Sequence, residues 1–154
     1  MCRLRPARPE DAELVWRWAN DPAVRAMAFT SEPILWDAHA AWYAAKLADP
    51  RCRVAILETT DGVPLGQIRF DEGPQGLEVD VSVASMWRGQ GLGRVLLTQG
   101  LEAAARRWPM GTSVVAKILI DNQASVSLFE RCGFIRKGTD SFQGKRFHWL
   151  ERVL

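Results

Sequence analysis

From Leu77 to Gln99 the chain reads LEVDVSVASMWRGQGLGRVLLTQ. The first seven residues alternate between apolar and polar side chains, which is the pattern of a half-buried β-strand. Its apolar face consists of Leu77, Val79, Val81 and Val83. Its polar face carries Glu78, Asp80 and Ser82. A glycine-rich turn and an apolar helical pattern follow, so this stretch predicts a strand, a turn and a helix in that order.

The turn between the predicted strand and helix reads RGQGLGR at residues 88–94. The first backbone N–H groups of a helix lack partners within the helix, and the helix dipole favours negative charge beside them. Glycines in such a turn let a phosphate approach the backbone closely. The pattern therefore predicts a site for a phosphorylated ligand, although a turn that only joins a strand to a helix is the alternative.

The spacing of the glycines narrows the class of ligand. Gly89, Gly91 and Gly93 give G-x-G-x-G, whereas a dinucleotide fingerprint needs G-x-G-x-x-G and a P-loop needs Gly-Lys-Ser/Thr. Residues 88–93 match R/Q-x-x-G-x-G/A, and residues 122–134 read NQASVSLFERCGF. Together the two blocks resemble the pyrophosphate loop and the downstream N-x-x-A/S-x-x-L-Y-x-x-x-G-F segment of the GNAT acetyltransferases. The resemblance extends over nearly the whole chain.

Composition limits the other possibilities. With 154 residues, 47% of them hydrophobic, residues 1–154 are expected to form a single domain with a real core. A net charge of +2 gives no basic field for nucleic acid. We expect no membrane association, since no apolar run could span a bilayer and no signal peptide is evident. Three cysteines without C-x-x-C spacing favour the cytoplasm, and two isolated histidines indicate no metal site.

The remaining periodicities predict an α/β chain with the element order βααβββαβαββ. Strands are expected at 2–5, 51–59, 63–71, 77–83, 112–120, 134–137 and 147–153. Helices are expected at 9–20, in a broken region that restarts at 37–47, after the glycine-rich turn, and at 122–131. This order resembles the GNAT layout, which implies a mixed, mostly antiparallel (α+β) sheet with helices on both faces and a splayed central strand pair.

The resemblance implies that acetyl-CoA is the co-substrate and that an acceptor amine attacks it directly. Backbone groups of the central strand and the glycine-rich turn would hold its pantetheine and pyrophosphate, and the helix at 122–131 would pack beside it. The cofactor-binding residues implied in this way are Val81, Ser82, Val83, Arg88, Gly89, Gln90, Gly91, Leu92, Gly93, Arg94, Asn122, Ser125 and Phe129. Asn122 is also a candidate helix N-cap.

The polar face of the central strand supplies candidates for the catalytic base. By resemblance Glu78 lies closest to the position of a carboxylate that acts through water, and Asp80 is the second candidate. A solvated strand face with no catalytic role would show the same alternation. The acid departs from the family pattern because Phe129 replaces the usual tyrosine. Ser125, Cys132, Tyr43 or water could protonate the leaving thiolate instead.

Acceptor specificity is expected in the N-terminal helices, where four tryptophans lie between residues 16 and 42. This part resembles UDP-4-amino-sugar N-acetyltransferases of pseudaminic acid-type pathways, and similar openings occur in ribosomal-protein N-terminal acetyltransferases. Aromatic faces beside cationic side chains suit a base, a sugar and a diphosphate. The candidate substrate-binding residues are Trp16, Arg25, His39 and Trp42, for each of which core packing is the alternative.

The sequence thus predicts an N-acetyltransferase that acts on a small-molecule amine, with a UDP-linked amino sugar as the first choice. A protein N-terminus or another small amine is the alternative acceptor. A non-catalytic acyl-CoA-binding module is the alternative from another class, and Phe129 is its best support. The chain is expected to work as a monomer or a homodimer.

Overall fold

The computed structural model describes residues 1–154, which form seven strands and five helices. The strands are β1 Cys2–Pro6, β2 Cys52–Thr59, β3 Pro64–Gly73, β4 Gly76–Val83, β5 Ser113–Leu119, β6 Ile135–Phe142 and β7 Lys145–Val153. The helices are α1 Ala12–Ala19, α2 Pro22–Ala26, α3 Trp36–Ala48, α4 Leu92–Arg107 and α5 Gln123–Arg131. Short 3₁₀ turns precede α1 and α4. No helix is both long enough and apolar enough to cross a membrane.

The strands form one mixed sheet in the order β1-β2-β3-β4-β5-β7-β6. Every neighbouring pair is antiparallel except β4 and β5, which are parallel. These two strands pair only through Leu77 with Val114 and Glu78 with Val115, and then they separate. The predicted mixed sheet, with its splayed central strand pair, is therefore confirmed.

Helices cover both faces of the sheet. On one face Gly100 of α4 lies so close to Ile68 of β3 that an added Cβ would be 2.4 Å from the Ile68 side chain. This face holds the main core, which also includes Leu96 and Leu97. On the other face Val15 of α1 and Tyr43 of α3 pack against Ile56 in a smaller cluster. The two faces thus have separate packing, and the polar face of β4 points toward α1 and α3.

Most predicted boundaries are confirmed to within two residues, with two exceptions. The N-terminal region contains three helices instead of two, because Asp21 caps a separate short helix by accepting the N–H of Ala23 at 2.9 Å. Strand β6 continues to Phe142, five residues beyond its predicted end. The residues of β6 are polar and exposed, so a hydrophobic pattern does not detect the end of this strand. Gln143 and Gly144 adopt positive φ values and make the tight turn to β7.

An ion-pair cluster joins β1, β2 and the turn before α1. The Arg5 guanidinium donates to both oxygens of Asp11, at 2.8 and 2.9 Å, and to Glu58 at 2.8 Å. Hydrogen bonds from Arg5 lower the pKa of both carboxyl groups. A carboxyl with a depressed pKa stabilises the fold above its unfolded pKa, near 4, and this contribution is lost as the pH falls through the folded value.

Arg5→Met is therefore expected to lower the melting temperature clearly at pH 7, because it leaves the largely buried Asp11 without its cation and Glu58 with only the exposed Arg3. The difference from the wild type should shrink as the pH falls from about 4 through the lowered folded pKa values, because protonation removes the ion pairs. Thermal unfolding at pH 7 and pH 3 measures both values. Arg3→Met is the matched control, since Arg3 also contacts Glu58 but is 65% exposed. An equal loss at both pH values would contradict this account.

Candidate functional site

The loop before α4 exposes backbone groups to an open space. Gly89 and Gly91 have φ values of +77° and +78°, and an added Cβ would meet nothing within 4 Å at either position. Gly91 is the residue that precedes the helix. The N–H groups of the first turn, Leu92 to Arg94, have no acceptors within the helix. The loop can therefore accept an anionic group such as a diphosphate.

The separation of β4 from β5 creates a cleft beside this loop. Beyond Glu78 the edge of β4 that faces β5 has no strand partner, so between Val79 and Val83 only the Val83 carbonyl has a partner there, the Arg88 side chain at 3.0 Å. An extended chain that entered the cleft could hydrogen-bond to this edge in the manner of an added strand.

A cavity of about 990 Å³ joins the cleft, the loop and the polar face of β4. Fifteen of the nineteen predicted site residues line it: Arg25, His39, Trp42, Asp80, Val81, Ser82, Val83, Arg88, Gly89, Gly91, Leu92, Gly93, Asn122, Ser125 and Phe129. The other four, Trp16, Glu78, Gln90 and Arg94, do not. The structure therefore brings the two sequence blocks and part of the N-terminal region together around one space.

Helix α5 forms one wall of the cavity. Asn122 caps this helix by accepting the Ser125 N–H at 3.2 Å, as predicted. Phe129 packs edge-to-face on Phe134 at a centroid distance of 5.0 Å. An added Cβ on Gly93 would lie 3.0 Å from Leu128, so a glycine allows α4 and α5 to approach closely. The start of α4 and helix α5 therefore pack against each other, and both line the cavity.

Tyr43, one candidate for the proton donor, is occupied elsewhere. Its hydroxyl donates to the Arg8 carbonyl at 2.9 Å, the residue is 2% exposed, and burial raises its pKa to about 12. Cys132 is buried and does not line the cavity. Ser125 is the candidate that the structure places in the cavity wall.

The polar face of β4 pairs with a polar row on β3. Gln67, Arg69 and Asp71 lie opposite Ser82, Asp80 and Glu78, respectively. Gln67 donates through Nε2 to Asp80 Oδ2 at 3.0 Å, and Arg69 Nη1 lies 3.8 Å from the same oxygen. Asp80 Oδ1 accepts no hydrogen bond from the protein. One oxygen of this carboxylate is thus fixed, and the other is left without a protein donor on a residue that lines the cavity.

Arg69 is held on both sides. Its Nε donates to Asp71 at 2.7 Å, and its guanidinium lies 5.0 Å from the Trp42 ring centre. Lys46 donates to the other oxygen of Asp71 at 2.7 Å. Although burial opposes ionisation of Asp71, these two donors lower its pKa overall. The cations under Trp42 are therefore already paired with carboxylates.

Glu78 lies beyond the main cavity. Its carboxylate pairs with Lys117 at 2.7 Å, and the Lys117 ammonium lies 5.2 Å from the Trp149 ring centre. Glu78 and Lys117 line a second cavity of about 530 Å³. The two cavities share four lining residues: Arg69, Val79, Asp80 and Lys117. Asp80 thus lies at the junction of the two cavities, whereas Glu78 lines only the second.

A strap of residues 27–35 between α2 and α3 contributes to the walls of both cavities. Phe29 packs edge-to-face on Phe142 at 5.9 Å and on Phe147 at 5.2 Å between centroids. Lys145 donates to the Ala28 carbonyl at 2.9 Å. The strap therefore connects the N-terminal helices to the β6–β7 hairpin.

Three of the four predicted substrate residues have internal partners. Trp16 donates to the Ile34 carbonyl at 2.8 Å and packs on Trp36, away from the cavity. Arg25 donates to the carbonyls of Ala19 at 2.7 Å and Thr30 at 2.9 Å. His39 contacts the Ala12 carbonyl through Nε2 at 2.8 Å, and burial lowers its pKa. These contacts hold α1, α3 and the strap in place.

Arg88 has an internal partner as well. It donates through Nε to the Val83 carbonyl at 3.0 Å and lies 3.6 Å from Asp21. Its side chain therefore supports the end of β4 and the loop. The backbone of the loop is what the cavity presents to a ligand.

In contrast to Arg88, the Ser82 side chain has no hydrogen-bond partner. Its hydroxyl oxygen is buried. A buried polar group without a partner costs about 1–3 kcal/mol. Most buried polar groups in proteins are paired, so this hydroxyl needs an explanation.

Sequence reasoning missed Trp18, Gln67, Arg69 and Trp87, which all line the main cavity. The sequence of β3 did contain a pattern that could have identified Gln67 and Arg69 as site residues. Its residues Gln67, Arg69 and Asp71 alternate with Ile68 and Phe70, and Gly73 opposite Gly76 fixes the register with β4. That register alone places Gln67 opposite Ser82.

The profile of the family described as "Acetyltransferase (GNAT) domain" matches residues 2–135. Among curated proteins, no sequence matches this chain significantly. Of the solved structures, yncA from Salmonella typhimurium, which holds its cofactor acetyl-CoA, is 23% identical with a TM-score of 0.83. The match covers 100% of this chain and 94% of that chain.

Two further solved structures are similar to this chain over nearly its whole length. Spermidine N-acetyltransferase from Vibrio cholerae, in complex with CoA and spermine, is 18% identical with a TM-score of 0.87, and the match covers 99% of this chain and 95% of that chain. An N-acetyltransferase from Staphylococcus aureus Mu50 is 22% identical with a TM-score of 0.83, and the match covers 99% of this chain and 98% of that chain. At these identities the likeness establishes the fold.

Proposed function

Because this chain belongs to the GNAT acetyltransferase family and is an acetyl-CoA-dependent N-acetyltransferase, we propose that it acetylates a small primary amine beside Asp80. Residues 1–154 act as one domain in this proposal. The observation that carries it is the position of Asp80, whose free oxygen shares a cavity with the glycine-rich loop and the strand cleft. The three free cysteines support a reducing, cytoplasmic location.

The residues present fit acetyl-CoA. Gly89 and Gly91 leave open space where side chains would stand, and the backbone from Gln90 to Arg94 would hold the pyrophosphate. The free edge of β4 from Val81 to Val83 would pair with the pantetheine, and Phe129 would pack beside it. Bound acetyl-CoA supplies an acetyl thioester, whose carbon–sulfur bond breaks as the acceptor nitrogen forms the new amide bond.

Asp80 acts as the base in this proposal. An amine must lose a proton to become an amide, and the free Oδ1 oxygen accepts it, directly or through one water. Gln67 holds Oδ2, so the carboxylate keeps one orientation during the transfer. Glu78, the first candidate from sequence, is paired with Lys117 and lies outside the main cavity. We therefore assign Glu78 a supporting role in the second cavity.

Ser125 donates a hydrogen bond to the leaving thiolate, and a water molecule that regains its proton from the amine by way of Asp80 protonates the sulfur, so the serine keeps its own proton. Phe129 has no hydroxyl, and the Tyr43 hydroxyl is bound to Arg8. Ser125 lines the cavity at the N-terminus of α5, where the helix dipole also stabilises a developing negative charge.

The acceptor side favours a small amine over a nucleotide-linked one. A diphosphate needs free cations, but Arg25 is bound to backbone carbonyls, and Arg69 is paired with a carboxylate. A UDP-linked amino sugar is the second candidate, because Trp18 and Trp42 both line the cavity and could stack on a base or a sugar.

Thiol release from acetyl-CoA with a panel of acceptors tests the proposal. The panel contains spermidine, a UDP-4-amino sugar, an N-terminal peptide and an aminoglycoside. We expect acceptor-dependent release with spermidine or the aminoglycoside, above the acceptor-free rate. Release with the UDP-4-amino sugar alone would establish the second candidate, and release with the peptide alone would indicate a protein substrate. Calorimetric binding of acetyl-CoA without turnover of any acceptor would leave a non-catalytic acyl-CoA-binding module.

A further inference from the structure

We propose that the Ser82 hydroxyl accepts a hydrogen bond from the acceptor amine and positions its lone pair for attack. This inference rests on the proposed function, because it needs an amine beside Asp80. In the sequence, Ser82 is a candidate cofactor-binding residue because of its place on the central strand. The proposal gives the Ser82 side chain a role toward the acceptor.

The position of Ser82 supports this role. Ser82 and Asp80 are two residues apart on β4 and therefore share the face that points toward α1 and α3. Both residues line the main cavity. Ser82 also lies at the part of β4 whose edge is free for a bound chain. Ser82 therefore lies beside both Asp80 and the unpaired stretch of β4.

The neighbours of Ser82 leave its buried hydroxyl oxygen without a partner, and the acceptor amine would reach this oxygen when the side chain rotates to another staggered conformation. Gln67 lies directly opposite Ser82 in the β3–β4 register, and its amide is the nearest candidate partner along the row. Its Nε2 instead donates diagonally to Asp80. The only other buried polar side-chain atom without a partner is Nε1 of Trp108, which lines neither cavity. Ser82 is therefore the one such group at the site.

The chemistry of a primary amine matches the two groups. A neutral primary amine has two N–H bonds and one lone pair. If one N–H points to Asp80 Oδ1 and the other to Ser82 Oγ, the lone pair is left for the acetyl carbon. A serine hydroxyl can accept such a bond because its oxygen has two acceptor lone pairs. The proton still leaves the nitrogen for Asp80, and Ser82 neither gains nor loses one.

Ser82→Ala is the test, measured by thiol release with the four panel acceptors and by thermal unfolding without ligand. We expect kcat/KM for the acceptor to fall about tenfold, as for the loss of one hydrogen bond. The KM for acetyl-CoA should stay unchanged. The melting temperature should stay equal or rise, because the variant removes a buried hydroxyl that has no partner in the free protein. A residue with a purely structural role would not separate activity from stability in this way.

Ser127→Ala is the matched control, since Ser127 is exposed on α5 and lines neither cavity. Ser82→Thr keeps the hydroxyl and should restore most of the activity. The proposal is overturned if Ser82→Ala retains the wild-type kcat/KM, if its melting temperature falls together with its activity, or if Ser82→Thr is no more active than Ser82→Ala. A wild-type protein that is inactive with the whole panel refutes the proposed function itself, and the role of Ser82 falls with it.

Discussion

Asp80→Asn is expected to lower kcat for acceptor acetylation by about 10²–10⁴-fold, the usual contribution of a positioned general base. Asparagine has nearly the same shape, and its side-chain oxygen can still accept the Gln67 hydrogen bond, so the fold of β3 and β4 should be preserved. The amide cannot accept the proton from the amine. Thiol-release kinetics measure the effect, and calorimetry should show unchanged affinity for acetyl-CoA.

Glu78→Gln is the control for the same strand face. Glu78 is paired with Lys117 and lines only the second cavity, so its neutral isostere should retain most of the activity. A larger loss with Glu78→Gln than with Asp80→Asn would move the base from Asp80 to Glu78. Such a result would leave the family assignment intact.

Gly66→Ala is expected to lower the free energy of unfolding by about 3 kcal/mol. An added Cβ at Gly66 would lie 2.6 Å from the Ser82 carbonyl oxygen and 3.2 Å from Val83 Cα. Both contacts are with backbone, which cannot move aside without displacing β4 from β3. Because β4 carries Asp80 and Ser82, acetyl transfer should fall as well. Chemical denaturation measures the stability, and the melting temperature should fall by about 6–12 °C.

Gly138→Ala provides the comparison for this prediction. Gly138 also lies in a strand, has no positive φ, and has open space where the Cβ would stand. Its replacement should change the unfolding free energy by less than about 0.5 kcal/mol. If Gly66→Ala were as stable as Gly138→Ala, the close approach of β3 and β4 would not limit this position.

The sequence predicts the elements well because local rules determine them. Alternation along β4 and the Asn122 cap of α5 both depend on residues that are neighbours in the chain. The motif at residues 88–93 then identifies the cofactor end of the site. These parts of the prediction need no knowledge of how the helices pack.

The acceptor side is less predictable because it depends on packing between distant segments. Trp16 and Trp18 are separated by about 200° around a helix, so only one of them can face the sheet. Val15 is buried against Tyr43 and Ile56, and Trp18, three residues later, lies on the same side as Val15. The apolar spacing of Val15 and Trp18 was the usable signal, and it favours Trp18 over Trp16.

Arg25 shows a different limit of sequence reasoning. A cation near aromatic residues suggests anion binding, but the Ala19 carbonyl at the end of α1 and the Thr30 carbonyl of the strap take up the guanidinium donors. No periodicity reveals where a loop places its carbonyls. The role of Arg25 was therefore open until the path of residues 27–35 was defined.

The contacts of Phe29 with Phe142 and Phe147 also constrain how acceptor specificity can change. The strap and the β6–β7 hairpin are more than a hundred residues apart in the chain, yet they share one aromatic seam. If residues 27–35 alone were replaced by the loop of a relative, the new loop would not fit against Phe142 and Phe147. Engineering a new acceptor preference therefore requires that both segments be transplanted from the same donor, and natural drift at Phe29 should be accompanied by compensating change in the hairpin.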